Sequence, residues 1–158
     1  MRGTGHLLWF LPLFAFGCGR PEINWGIATF NHKEQWREAV SFKLDLPDSL
    51  TTMGLDICAQ FRHRSAVCGH LPVILLFQAP DSTLYCDTVS LPLNVVRHKP
   101  AYGKNGEVHS IRWPYRRGII NRKPGQWNIS VIPDTSRADS SLFENVMAVG
   151  IAVERERE

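Results

Sequence analysis

An all-β fold is what this sequence predicts, as an antiparallel β-sandwich of about seven or eight short strands in a single domain. Three observations carry that expectation. Apolar residues recur with a period of two in short runs, the pattern of half-buried strands. Clusters of Pro, Gly, Asp and Ser separate the runs and mark turns. No segment holds a long helical period of apolar residues. A closed β-barrel is the alternative arrangement of the same strands.

The chain opens with a short cationic stretch, Met1 to His6, carrying Arg2, and continues with ten almost wholly apolar residues, Leu7 to Phe16. A membrane-spanning helix needs about 20 apolar residues. This run is shorter and is interrupted by Pro12, so residues 1–17 are expected to be a secretory signal peptide. Ala15-Phe16-Gly17-Cys18-Gly19 resembles the bacterial lipobox. Gly17 fits the place before the cysteine and Ala15 the place two before that, while Phe16 departs from the usual small residue. Cys18 is therefore expected to carry the lipid and to begin the mature protein. Acyl chains contribute about 0.8 kcal/mol per buried methylene, so more than one chain makes a stable anchor.

Without residues 1–17 the chain keeps 141 of its 158 residues, enough for one domain with a real core. Its charge is slight, 17 Lys and Arg against 15 Asp and Glu, with no block of five like charges. That balance excludes an electrostatic nucleic-acid surface or a polybasic membrane patch. Residues 19–32 carry no clear period, and 18–35 read as a lipid-anchored tether, 36–154 as the sandwich domain, and 155–158 as a charged tail.

The elements follow in order. Lys33 to Ala39 has the composition of one or two helical turns, too short to be stable alone. Val40, Phe42, Leu44 and Leu46 alternate with Ser41, Lys43 and Asp45, a strand closed by the turn Pro47-Asp48-Ser49. Leu55, Ile57, Ala59 and Phe61 alternate with Asp56, Cys58 and Gln60. LPVILLF, residues 71–77, is apolar on both faces and reads as a central strand. After the turn Ala79-Pro80-Asp81-Ser82, one parity holds Tyr85, Asp87, Val89, Leu91 and Leu93, with Asp87 the polar exception. Asp87 is expected either to be hydrogen-bonded structurally or to face a groove. Val95–Gly118 is polar, aromatic and glycine-bearing and reads as a long loop. Trp127, Ile129 and Val131 alternate after the turn Lys123-Pro124-Gly125, and Asn145 to Val153 is again apolar on both faces.

No catalytic constellation emerges. The chain has no G-x-S-x-G, no phosphate-binding glycine loop and no H-E-x-x-H. His63-x4-Cys68-x-His70 is the one metal-like cluster, yet a zinc site needs about four ligands and no fourth is near, so loop histidines beside a buried cysteine are expected. Asp45, Asp56 and Asp87 lie in predicted strands with nothing to make them converge. No catalytic residue, metal ligand or cofactor is assigned. With Cys18 on lipid, Cys58, Cys68 and Cys86 allow at most one disulfide, and three free thiols are equally compatible.

Trp113-Pro114-Tyr115-Arg116-Arg117 is the most conspicuous exposed candidate. Trp, Tyr and Arg are the usual anchors of protein interfaces, so Trp113, Tyr115, Arg116 and Arg117 are candidate partner-binding residues. The same aromatics suit stacking on sugar rings, and a proline-bent loop capping the sandwich is the bland alternative.

Taken together, the segments over residues 36–154 resemble the GldH family of gliding-motility lipoproteins of Bacteroidota. The resemblance lies in Trp36-Arg37-Glu38-Ala39-Val40-Ser41-Phe42, Phe61-Arg62-His63, His70-Leu71, Asp87-Thr88-Val89 with Leu91-Pro92-Leu93, Pro124-Gly125-Gln126-Trp127, and Arg137, Leu142 and Val149-Gly150-Ile151. His70 stands where that family commonly has asparagine and Cys68 where it has an aromatic; within 98–106 only Gly103 and Lys104 match. The resemblance implies a non-enzymatic envelope lipoprotein of the gliding-motility machinery, which is linked to type IX secretion. It also implies partners among envelope lipoproteins or motility and secretion proteins, beside the membrane itself. Gly19 lacks the aspartate that often retains lipoproteins at the inner membrane, so an outer-membrane, periplasm-facing position is expected. A glycan-binding outer-membrane module is the alternative function.

Overall fold

The structure, a computed structural model, describes residues 24–31, 35–47, 52–62, 69–93, 101–103, 106–138 and 140–156. They form β1 (Asn24–Thr29), β2 (Val40–Leu46), β3 (Met53–Phe61), β4 (His70–Gln78), β5 (Leu84–Pro92), β6 (Ala101–Gly103), β7 (Gly106–Ile119), β8 (Gly125–Pro133), α1 (Ser140–Glu144) and β9 (Val146–Arg155). Two antiparallel sheets result, with strand orders β1-β9-β3-β7-β6 and β2-β8-β4-β5. The sheets pack face to face and each ends in unpaired edges among the described residues, so the fold is an open sandwich and not a closed barrel.

The two-residue period does what the sequence predicts. Leu55, Ile57, Ala59 and Phe61 of β3 and Val149, Ile151 and Val153 of β9 are buried against Phe42 and Leu44 of β2, Val73 and Leu75 of β4, and Ile129 and Val131 of β8. The doubly apolar β4 lies inside its sheet, between β8 and β5.

Four expectations are corrected. Residues Asn24–Thr29, placed in the tether, form β1 and pair with β9 from Asn24↔Val153 to Thr29↔Ala148. The alternation was masked because the inward side chains are small: Gly26 approaches the ring of Phe42 so closely that an added Cβ would lie 2.5 Å from its Cδ1. The bulky Trp25 points outward and is 65% exposed. Next, residues 35–39 form bends and not a helix, while 33 and 34 fall outside the described residues. Trp36 is buried there, stacked on Phe30 and edge-on to Phe143, and that burial outweighs the weak local helix preference.

The third correction is the largest. Most of the expected loop Val95–Gly118 is the hairpin of β6 and the fourteen-residue β7, paired with β3 from Met53↔Ile119 to Phe61↔His109. Pro114 fits within this strand because β6 reaches only Val108, so β7 is an edge at that point and an edge tolerates proline. Irregular register near Leu55 further broke the period. Last, the expected tail is partly folded. β9 runs to Arg155, and Glu156 N–H bonds the Thr52 carbonyl at 2.9 Å; residues 157 and 158 lie outside the described set.

The strand registers give the sandwich two unlike ends. At one, Phe61 of β3, Val146 of β9 and the Trp36–Phe143–Phe30 cluster close the gap between the sheets. At the other lie Leu46, Met53, Ile119 and the turns before β5 and β8, and this end is open.

Candidate functional site

The open end holds a groove of about 590 Å³. Its floor is inward-facing aliphatic surface from both sheets: Met53, Leu55, Ile119 and Val153 from one, Leu46 and Ile129 from the other. Four aromatic rings form its side. Phe77 and Tyr115 stack across the two sheets at 5.9 Å, and Tyr85 and Trp127 stack at 6.3 Å. Tyr85 is 47% exposed and Ile120 48%, so the mouth opens to solvent.

Two turns set the rim. In the turn before β5, Ser82 N–H bonds Ala79 O at 2.9 Å with Ser82 at φ 65°, and Thr83 N–H bonds Asp81 Oδ1 at 3.0 Å. In the turn before β8, Gly125 takes φ 122°, a conformation glycine alone adopts without strain. Lys123 joins the turns: its Nζ lies 2.6 Å from Asp81 Oδ2, 3.2 Å from Thr83 Oγ1, and 5.8 Å above the Tyr85 ring. The Lys123 hydrogen bond is the main reason the Asp81 carboxyl titrates below its ordinary range, and the same bond raises Lys123.

Across the groove the Tyr115 hydroxyl donates to Asp87 Oδ2 at 2.6 Å, and Arg116 Nη2 stands 3.9 Å from the same oxygen. Burial, then the bond to Asp87, pushes the Tyr115 phenol above its ordinary value. Asp87 thus satisfies both alternatives set for it: it is hydrogen-bonded and it lines the groove.

The expected motif Trp113 to Arg117 is divided among three places. Trp113 is only 4% exposed and belongs to the core, its Nε1–H donating to Pro92 O at 2.7 Å, so it presents no surface to a partner or a sugar. Tyr115 and Arg116 line the groove. Arg117 lies on the outer face of the first sheet in an ion pair with Asp56 Oδ1. That contact lacks hydrogen-bond alignment, whereas Arg112 Nε meets Asp56 Oδ2 at 2.5 Å and Arg112 Nη2 meets Glu154 at 2.5 Å. Burial opposes the Arg112 charge, but the hydrogen bonds it donates to Glu154 and Asp56 outweigh that and raise the guanidinium's pKa. This network is matched internally and explains why Asp56, 3% exposed, is tolerated.

The remaining candidates do not assemble. Asp45 and Asp56 face outward on different sheets and Asp87 faces the groove, so the three carboxylates occupy separate surfaces. His70 is exposed at the start of β4, while His63, Cys68 and the lipid-attachment candidate Cys18 lie outside the described residues. Cys58 and Cys86 are free thiols. Burial, partly offset by Arg112, raises the Cys58 pKa.

Sequence reasoning placed Tyr85 and Trp127 correctly on strands but missed their role. Both have inward parity at a strand end beside a turn, which was the available signal. Their meeting depends on β4 lying between β5 and β8, a fact of topology. Fold and site together define an all-β sandwich with one plugged end and one end open as an aromatic-sided apolar groove. No protein-family model and no curated protein matches this chain.

Proposed function

We propose that this protein is a lipid-anchored, non-enzymatic component of the cell envelope that holds a partner or ligand in the inter-sheet groove. It serves as an assembly part of the gliding-motility machinery linked to type IX secretion. The observation that carries the binding role is the open end itself. A sandwich gains stability by closing its ends over the core, as Trp36 and Phe143 do at the opposite end. Leaving aliphatic and aromatic surface in a concave opening fits a recognition site. The anchor and the process are supported by the lipobox at Cys18 and the family resemblance of residues 36–154.

The test is a deletion strain of a gliding host complemented with wild type, Cys18→Ser or Ile120→Asp. Ile120 is exposed at the groove mouth, so its replacement leaves the core intact. Wild type is expected to restore surface spreading and secretion of type IX cargo; the variants are expected to fail, and the Ile120→Asp protein to lose its co-purifying partners. Normal spreading and secretion in the deletion strain would refute the motility role.

A glycan-binding module is the second reading. The parallel Tyr85 and Trp127 rings favour it, in place of the Trp113 and Tyr115 pair expected from sequence. Tyr85→Ala is then expected to abolish retention on a glycan array; no retention of the intact protein removes this reading.

A further inference from the structure

The polar groups around the groove are nearly all engaged within the protein. Asn121 Nδ2 donates to Pro47 O at 3.0 Å and its Oδ1 accepts the Lys123 N–H at 3.1 Å. Trp127 Nε1–H donates to Lys123 O at 3.0 Å. The Tyr115 hydroxyl is held by Asp87, and Lys123 Nζ by Asp81. What remains for a ligand is the aliphatic floor, the aromatic faces and charge. A sugar brings many hydroxyls, and each one buried without a partner is costly. This groove offers such hydroxyls few partners. An alkyl chain needs none.

The charges narrow the choice further. Asp87 is offset by Arg116 and Asp81 by Lys123. Among the described residues Arg122 has no ion-pair partner, and it lines the same groove. One uncompensated cation at the rim of an apolar groove complements one anionic head on an apolar chain.

We infer that the groove binds a single-chain anionic amphiphile, the chain lying on Met53, Leu55, Ile119 and Ile129 and the head group meeting Arg122. This rests on the groove being the recognition site proposed above. The volume, about 590 Å³, lies within the range of small-ligand pockets.

Isothermal titration of the delipidated wild-type protein with octanoate, decanoate and dodecanoate, below their micellar concentrations, tests it. Affinity is expected to rise roughly fourfold per added methylene, the increment of a buried CH₂. Dodecanoate is expected to bind about tenfold more tightly than dodecanol, a gap that Arg122→Gln closes without weakening dodecanol. Chain burial has its own readout. A dodecanoate brominated along the chain is expected to quench tryptophan emission in wild type, and to lose most of that quenching in Trp127→Phe. Thermal melts establish that both variants fold.

Three results overturn the inference: equal affinity for octanoate and dodecanoate, no binding of any of them, or binding unchanged by Arg122→Gln and Ile120→Asp together. Retention of an oligosaccharide or a peptide in their place does the same while leaving the groove as the recognition site. Conversely, amphiphile binding that Ile120→Asp abolishes, in a strain where Ile120→Asp restores motility, upholds the inference and refutes the motility role.

Discussion

Replacing Trp113 separates a core role from an interface role. An aromatic side chain of this class buries about 150–250 Å², and Trp113 is 4% exposed. At about 25 cal/mol per Å² that burial contributes about 4–6 kcal/mol. Trp113→Ala forfeits most of it, leaves a cavity between β7 and the end of β5, and strands the Pro92 carbonyl that Nε1–H now satisfies. A loss of about 4–6 kcal/mol follows, against a total of about 5–15 kcal/mol for a folded domain. Trp113→Phe keeps most of the ring and loses chiefly the hydrogen bond, about 1–2 kcal/mol. With a urea slope near 2 kcal/mol per molar, the midpoint falls by about 0.5–1 M. Arg116, whose side chain is 64% exposed, serves as the control, and Arg116→Ala is expected to stay within about 0.5 kcal/mol. Urea unfolding followed by circular dichroism measures all three. A Trp113→Ala protein as stable as wild type but unable to capture partners would refute the core assignment.

Three further outcomes are expected. Gly26→Val destabilises by about 1–3 kcal/mol in the same assay, because its Cβ meets the Phe42 ring; no change would detach β1 from the fold. The Tyr115 phenol is raised in the folded state, so its tie to Asp87 contributes below the ordinary pKa of 10.0 and is lost as pH rises through the raised value. Urea midpoints of wild type and Tyr115→Phe are therefore expected to differ at pH 8 and to converge at strongly alkaline pH. Burial raises the Cys58 pKa above 9.0, so in a Cys18→Ser, Cys68→Ser background an aromatic disulfide reagent at pH 8 is expected to label exposed Cys86 first and Cys58 much more slowly.

The strands legible in the sequence are those whose inward face is bulky. β2, β3 and β8 announce themselves through Phe42, Leu44, Ile57 and Ile129, because a large apolar residue at every second place has few other uses. β1 has the same period with the sizes reversed, Gly26 and Ala28 inward and Trp25 and Ile27 outward, and so reads as a featureless tether. α1 is only five residues long and exists to bring Phe143 against Trp36, a tertiary demand with no local signature. The groove was half visible. Asp87 broke an apolar parity and marked that something polar faces inward there, but its partner Tyr115 lies 28 residues away on another sheet.

The motif Trp113 to Arg117 shows most clearly how local irregularity sets function. Counted in strict alternation from the buried Ile111 and Trp113, the inward positions would be Tyr115 and Arg117, with Arg116 outside. That register would aim Arg117 between the sheets. The bulge opposite Leu55 and Asp56 inserts a residue, so Asp56 pairs with Pro114 and Leu55 with Arg116. Two consecutive side chains, Tyr115 and Arg116, then reach the groove, and Arg117 is turned to the outer face over Gly54 and onto Asp56. One extra backbone residue thus removes a charge from the apolar interior and supplies the cation that the Asp56 carboxylate on the other face needs. It also sets a cation over the Tyr115 ring, 5.5 Å from its centroid, at the groove's edge. The open end depends on that bulge as much as on any side chain lining it.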